Sequence, residues 1–430
     1  MSILIKNAMI ITGAADAMVL TDHCIGIKDD LISFVCPSSE LSPVFQADKI
    51  IDARDMLVMP GLVNAHTHSG TTILRNYAGD KKLEDWLFNH IIPAEMKLTP
   101  EDVYWGAKLA IIEMLKSGTT SIADMYWHMD YAAQAFQESG MRAVLSKSPL
   151  MFKDMSVDLA GCADYYNKWH NTADERLKVY LEVHSTYLYN PELLQEAAKV
   201  AKQLNTGIHI HLLETRQEQR ETYEKYKMSG AELCEKCGIF DVPVIAAHCV
   251  HLDEQDYEIL ARHKVNVIHN PTSNLKLGSG IANVPKMLQR GINVALGTDG
   301  AASNNNLSLF KEMNLAALLH NGVAEDPLAI TSSQAIAMAT TNGAKALGLN
   351  TTGVLQAGKK ADLILLSTKG AHINPITEPL SAAVYSAQAS DVDTVIIDGK
   401  ILLANKQLIS IDEELVIAKV KEIARRIIAS

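Results

Sequence analysis

Eight short apolar runs, most of them followed by helix-forming sequence, constrain this chain more than any other feature. They cover residues 58–65, 119–125, 142–147, 178–184, 206–212, 243–249, 265–270 and 292–298. The runs are near-continuously apolar, as in I-N-V-A-L and V-P-V-I-A-A, so they do not alternate as a half-wet strand would. A strand without alternation is buried on both faces, which is the habit of parallel sheets. The best helical stretches are Pro100–Ser117, Pro191–Leu204, Arg216–Cys237, Asp253–His263, Leu307–Asn321 and Thr331–Leu347. Thr99-Pro100-Glu101-Asp102 opens the first of these with a capping hydroxyl, proline at the first position and acids in the first turn. Eight strands alternating with helices is the count of a (β/α)8 barrel. The chain is therefore expected to be α/β, with a TIM barrel over residues 58–355.

Residues 1–57 follow another pattern. Short strands at Ile3–Ile5, Met9–Ile11, Cys24–Lys28, Leu31–Val35 and Ile50–Asp52 are separated by turn residues such as Asp29-Asp30. So few strands seldom make a core alone. The C-terminal part offers partners in Ala361–Leu366, Val392–Ile397 and Lys400–Leu403, the last two joined by the Asp398-Gly399 turn. The expectation is a small β-sandwich domain built from both chain termini, residues 1–57 and 356–430, carrying a C-terminal helix.

A length of 430 residues suits a barrel plus a smaller domain. The net charge of −11 argues against a nucleic-acid partner, which needs a basic face. No apolar run approaches the roughly 20 residues of a membrane helix, so no membrane partner is expected. The N-terminus alternates like a strand and lacks a secretory leader's pattern. Six irregularly spaced cysteines fit a reduced, cytoplasmic protein, and Cys234-x-x-Cys237 is read as structural. The expected partner is a small-molecule substrate, and a homo-oligomer is compatible with the composition.

Barrel enzymes place their chemistry at the C-terminal ends of the strands. His66 and His68 end the first run, His184 the fourth, His211 the fifth, His248 the sixth, and Asp299 follows the eighth. One such histidine could be an accident of packing. Five strand ends carrying His or Asp on one rim are hard to explain that way. His66 and His68, at i and i+2 of a strand, point to the same face, where two imidazoles can share one metal ion.

The motifs P-G-L-V-N-A-H-T-H (60–68), H-L-L-E-T (211–215), A-A-H-C-V (246–250) and G-T-D-G-A-A-S-N-N (297–305) resemble those of the amidohydrolase superfamily. Within it the chain is most similar to the 5-methylthioadenosine/S-adenosylhomocysteine deaminase branch, which sits close to the chlorohydrolases. The resemblance runs from about residue 1 to beyond 400. It implies a terminal β-domain, and one divalent metal ion per chain, zinc before others, held by His66, His68, His211 and Asp299. Such an ion lowers the pKa of a water toward neutrality. His209 lies deeper in the barrel and is read as structural. Strand four ends in His184 where two-metal relatives carry a lysine, so one ion is expected. By the same resemblance Glu214 is the general acid, and Asp299 also takes a proton from water. His248 is expected to hydrogen-bond the attacking water and the oxyanion. Glu95 would accept from ribose hydroxyls and His184 would contact the purine. Trp86 lines the pocket or sits in the core. Ser303 faces the site or caps the helix ahead of Leu307; both readings stay open.

Relatives that take S-adenosylhomocysteine are expected to bind its carboxylate with arginines at the end of strand three and in the loop after it. Here Lys147 holds the strand position, Lys153 is the next cation, and no arginine occurs in 148–165. Lysine cannot make the planar two-bond grip of arginine on a carboxylate. The expected substrate is adenosine-type with a neutral or short 5′ substituent. Two alternatives remain: another deaminase or a triazine-type chlorohydrolase on the same scaffold, and a non-catalytic barrel.

Overall fold

The computed structural model describes residues 1–13, 18–151 and 156–429; Lys153 lies outside them. Eight strands form one sheet in chain order: Leu62–Thr67, Thr119–Met125, Arg142–Lys147, Leu177–Val183, Ile208–Leu212, Val244–His248, Asn266–His269 and Asn293–Leu296. They are numbered one to eight here. Strands one, two, five and six are buried at every residue, which is why their sequences carry no alternation. Just past strand eight, the Asp299 backbone N–H donates to His66 O on strand one at 3.0 Å. The sheet edges meet there, and the parallel strands make a nearly closed barrel.

Each expected run overlaps one of these strands, but the first also overlaps a strand of another sheet. Met56–Pro60 belongs to the terminal sheet, pairing with Ser2–Ile11 and Leu363–Ser367. Gly61 then separates it from strand one. A Cβ on Gly61 would lie 2.1 Å from Thr120 Oγ1, so only glycine fits this link. Two expected helices are also each a pair. Arg216–Tyr226 stops at Lys227, in the left-handed region at φ 57°, and Gly230–Lys236 restarts behind a Ser229/Glu232 capping box. Ser332–Ala339 and Thr341–Ala346 meet at the non-helical Thr340.

The terminal sheet has nine strands, drawn from residues 2–60 and 363–408. Ile3 and Ile5, Ile25 and Ile27, and Leu363 and Leu365, each two apart, turn one face inward and gather with Val58 and Ile396 into one core. The strands expected at Ile3–Ile5 and Met9–Ile11 are a single strand with an irregularity between Ile5 and Ala8, where Asn7 has φ 59°.

By packing, the chain divides elsewhere than at the expected boundaries. One compact unit is Met1–Asn64, Ile112–Ser121 and Ser308–Asp412; the other is Ala65–Ile111, Ile122–Leu307 and Glu413–Ser430. The C-terminal helix Glu413–Ala429, expected with the terminal sheet, therefore belongs with the barrel residues. It buries the stripe Val416, Val420, Ile423 and Ile427. Arg426 pairs with Asp102 at the start of helix Pro100–Lys116, and Lys97 Nζ donates to Ile427 O at 3.3 Å. No helix among the described residues is long and apolar enough to cross a membrane.

Candidate active site

Four imidazoles and a carboxylate converge at the C-terminal rim. Donor atoms of His66, His211 and His248 lie within 4.8 Å of one another, and so do those of His66, His68 and Asp299. His68 Nε2 is 3.2 Å from His211 Nε2 and 3.2 Å from Asp299 Oδ1. In each ring the other nitrogen is engaged outside the cluster. His68 Nδ1 meets Met125 O at 2.6 Å, His211 Nδ1 meets His184 O at 2.8 Å, and His248 Nδ1 meets Asn274 Oδ1 at 2.8 Å. Carbonyl oxygens only accept, so these Nδ1 atoms carry protons and the Nε2 atoms face inward.

His66 fits the same scheme through a histidine. Its Nδ1 lies 2.9 Å from His209 Nε2, and His209 Nδ1 lies 3.2 Å from Ser146 Oγ. The ring expected to be merely structural thus orients a rim histidine. His66 Nε2 is buried with no hydrogen-bond partner, although Asp299 Oδ1 is 3.5 Å away. An orphaned inward nitrogen is costly in a dry interior unless something binds it.

The electrostatics agree with that demand. Burial pushes His66 down to about 4 and His184 to about 3, and it drives His211 well below the usual imidazole range. These rings are neutral, the state a metal ligand needs. Asp299 is also desolvated, yet His66 and His68 hold it well below an ordinary carboxylate. Despite its own burial, His68 is pulled up to about 9 by Asp299, so its Nε2 holds a proton that a metal ion bound there would replace. The carboxylate calls for a cation at this point. Neutral imidazoles, pinned second nitrogens and one carboxylate fit a single divalent cation of the zinc type.

Asp299 is itself held. Ser273 Oγ donates to its Oδ2 at 2.6 Å and Gly300 N to its Oδ1 at 2.7 Å. Leu213, His248 and Asp299 have φ of 50°, 74° and 61°, so strain collects at three strand ends around the cluster. Glu214 is buried rather than a solvated acid opening the next helix. Thr215 is the cap of that helix. Glu214 Oε1 accepts from Ser279 Oγ at 3.1 Å, and its Oε2 is 3.7 Å from His248 Nε2. Burial raises its carboxyl above the ordinary range. Behind it the buried Glu218 accepts from Glu214 N at 2.7 Å, Leu213 N at 3.1 Å and Thr186 Oγ1 at 3.1 Å.

A cavity beside the cluster is lined by Glu95, His184, Glu214, Asp299, Trp86 and Tyr126, among others. Trp86 presents a buried indole N–H with no partner, so it lines the pocket instead of filling the core. Glu95 is buried and pushed up to about 7, with the Tyr126 hydroxyl opposing the rise. Lys147 reaches an adjoining cavity, but its Nζ donates to Gly161 O at 3.0 Å. Ser303 does not line the cavity of the cluster; its hydroxyl donates to Gly300 O at 3.0 Å. Ser273, Asn274 and Glu218 escaped the sequence reading. The first two follow strand seven in H-N-P-T-S-N (269–274), a polar rim segment that a search for His and Asp alone passes over.

Comparison with known proteins agrees with this architecture. The amidohydrolase family model matches residues 57–402. A 5-methylthioadenosine/S-adenosylhomocysteine deaminase of Acetivibrio thermocellus is 59% identical over 430 residues, covering 100% of both chains. A 5′-deoxyadenosine deaminase of Methanosarcina acetivorans is 44% identical over 430 residues, 99% of this chain and 98% of that one. Among solved structures, a zinc-bound adenosine deaminase from Xanthomonas campestris superposes with a TM-score of 0.96 at 32% identity, covering 100% of this chain and 99% of that one. A nearly closed eight-stranded barrel with its donors on one rim, matched over most of its length, places this chain in the amidohydrolase family.

Proposed function

We propose that this protein is a metal-dependent hydrolytic deaminase of adenosine-type nucleosides, exchanging the 6-amino group for oxygen and releasing ammonia. The observation that carries the reading is Glu214. It is a buried carboxyl with a raised pKa, beside His248 and the converging imidazoles, where attack on a purine C6 needs a proton on N1. Relatives at 44% and 59% identity bear the names of adenosine-type deaminases. His66, His68, His211 and Asp299 would hold the ion, with zinc the choice that fits neutral imidazoles and the zinc-bound structural relative. Bound there, the ion supplies an acidified water.

The chain's own groups do the rest. Glu214, whose carboxyl burial raises above the ordinary range, donates to N1 as the water attacks C6 and recovers a proton from the C6 hydroxyl as ammonia leaves. Asp299, oriented by Ser273 and Gly300 N, takes a proton from that water and returns it to the leaving amino group. His248, its Nδ1 held on Asn274 Oδ1, accepts at Nε2 from the attacking water and, once protonated there, donates to the developing oxyanion. His184 and Trp86 border the purine and Glu95 the ribose. Lys147 is committed to Gly161 O and offers a carboxylate no bidentate grip. Ammonia release from 5′-methylthioadenosine, adenosine and S-adenosylhomocysteine on zinc-loaded protein tests the reading. The first two should have the higher kcat/KM. If none of the three releases ammonia, the adenosine assignment falls.

A further inference from the structure

Asp124 is a buried carboxyl that none of these roles uses. It sits near the C-terminal end of strand two, one residue before Met125, whose carbonyl takes the Nδ1 proton of His68. Asp124 answers the residue that follows His68. Ser69 N donates to Asp124 Oδ1 at 2.7 Å, and Ser69 Oγ donates to Oδ2 at 2.6 Å. Both carboxyl oxygens are thus engaged by one residue, and Ser69 is as deeply buried as Asp124. Short hydrogen bonds of this kind to a carboxylate are among the strong ones.

The next residue continues the contact. A Cβ on Gly70 would lie 2.0 Å from the Tyr126 ring, so the chain reaches Tyr126 only because glycine has no side chain. His68, Ser69 and Gly70 therefore rest on Met125, Asp124 and Tyr126. The sheet does not do this work. Strand one ends at Thr67, and the chain turns at once into the short 3-10 helix Ser69–Leu74. His68, unlike His66, stands off the ladder of backbone hydrogen bonds, and its direction depends on what holds its neighbours.

We propose that Asp124 is a positioning residue for the metal site: by holding Ser69 N and Oγ it fixes the backbone from which His68 projects, so that His68 Nε2 is in place before an ion arrives. A site built in advance binds more tightly because less ordering accompanies binding. The inference rests on the ion placement of the proposed function and adds the group behind one of its ligands.

The test reads the zinc affinity of the folded full-length protein by competition with a chromogenic chelator, with the Tm of the zinc-free form beside it. Asp124→Ala should weaken zinc binding about tenfold, the cost of fixing one residue's backbone again on binding. Asp124→Asn should recover most of that loss, because an amide oxygen still accepts from Ser69 N while the amide N–H donates to Ser69 Oγ. Ser69→Ala keeps the backbone bond and should fall between the parent and Asp124→Ala. A merely structural Asp124 would lower the zinc-free Tm and leave zinc affinity alone. Zinc affinity in Asp124→Ala within about twofold of the parent, a difference well under 1 kcal/mol, therefore overturns the role. Should that form not fold, parental affinity in Ser69→Ala overturns it equally. A parent that takes up no zinc, or a His68→Ala form that binds zinc as tightly as the parent, overturns the metal reading and this inference together.

Discussion

Glu214 shows how far one side chain's role depends on where the fold puts it. As sequence it is an acid three residues after a histidine, ahead of a helix that favours acids in its first turn. In the fold the capping role passes to Thr215, and Glu214 turns inward between Ser279 and His248. Replacing it by glutamine keeps the shape and removes the transferable proton. Glu214→Gln is expected to lower kcat about 10²–10⁴-fold, with zinc content by metal analysis unchanged. A rate near that of the parent would reduce Glu214 to a packing residue. His66, His68, His211, His248 and Asp299 were all legible, because His and Asp at the ends of apolar runs have few other reasons to be there. His209 was legible as inward-facing but not as the partner of His66, since a strand's period gives the side of a residue and not its neighbour across the barrel.

The helix Arg216–Tyr226 begins with a device that couples element to site. Its N-cap Thr215 accepts from Glu218 N, but the Glu218 carboxylate bypasses its usual target and reaches back to Leu213 N and Glu214 N. It thereby holds the backbone at Leu213, whose φ is 50°, and with it the direction of Glu214. In Glu218→Gln one accepting oxygen becomes a donor facing a backbone N–H. Leaving such a buried donor unpaired costs about 1–3 kcal/mol, so kcat should fall roughly tenfold while KM and zinc content hold. A rise in KM with kcat intact would mean that Glu218 shapes binding and not the placement of the acid. At this scale the sequence was legible wherever one signal dominated. Strands two to eight each match a single apolar run, strand four starting one residue ahead of its run at Leu177. Strand one and Met56–Pro60 merged in the reading because both are apolar and periodicity is blind to Gly61. The break near Lys227 was written in Ser229-x-x-Glu232, yet a helical pattern continuing on both sides hid it.

For the whole molecule the question is what the metal site contributes to stability. The terminal sheet has its own core of Ile3, Ile25, Leu363 and their neighbours, and the barrel strands are buried along their length by apolar residues. Both were legible as separate regions of apolar patterning. The placement of the C-terminal helix was not, because an amphipathic stripe says that one face is covered and not by what. Neither core draws on the histidine cluster, so the fold should not depend on the ion as a zinc finger does. An ion present at about 1,000 times its Kd adds about 4.1 kcal/mol to the folded state. With an unfolding entropy of about 2.1 cal/mol/K per residue, 430 residues give about 0.9 kcal/mol/K, which converts that gain into roughly 5 °C of Tm. Treatment with a chelator is therefore expected to abolish ammonia release, leave the far-ultraviolet circular dichroism spectrum in place at 25 °C, and lower Tm by that amount. Adding zinc should restore both rate and Tm. If the chelated protein loses its secondary structure at 25 °C, the cluster is a structural keystone of the barrel, and the separation drawn here between core and site is wrong.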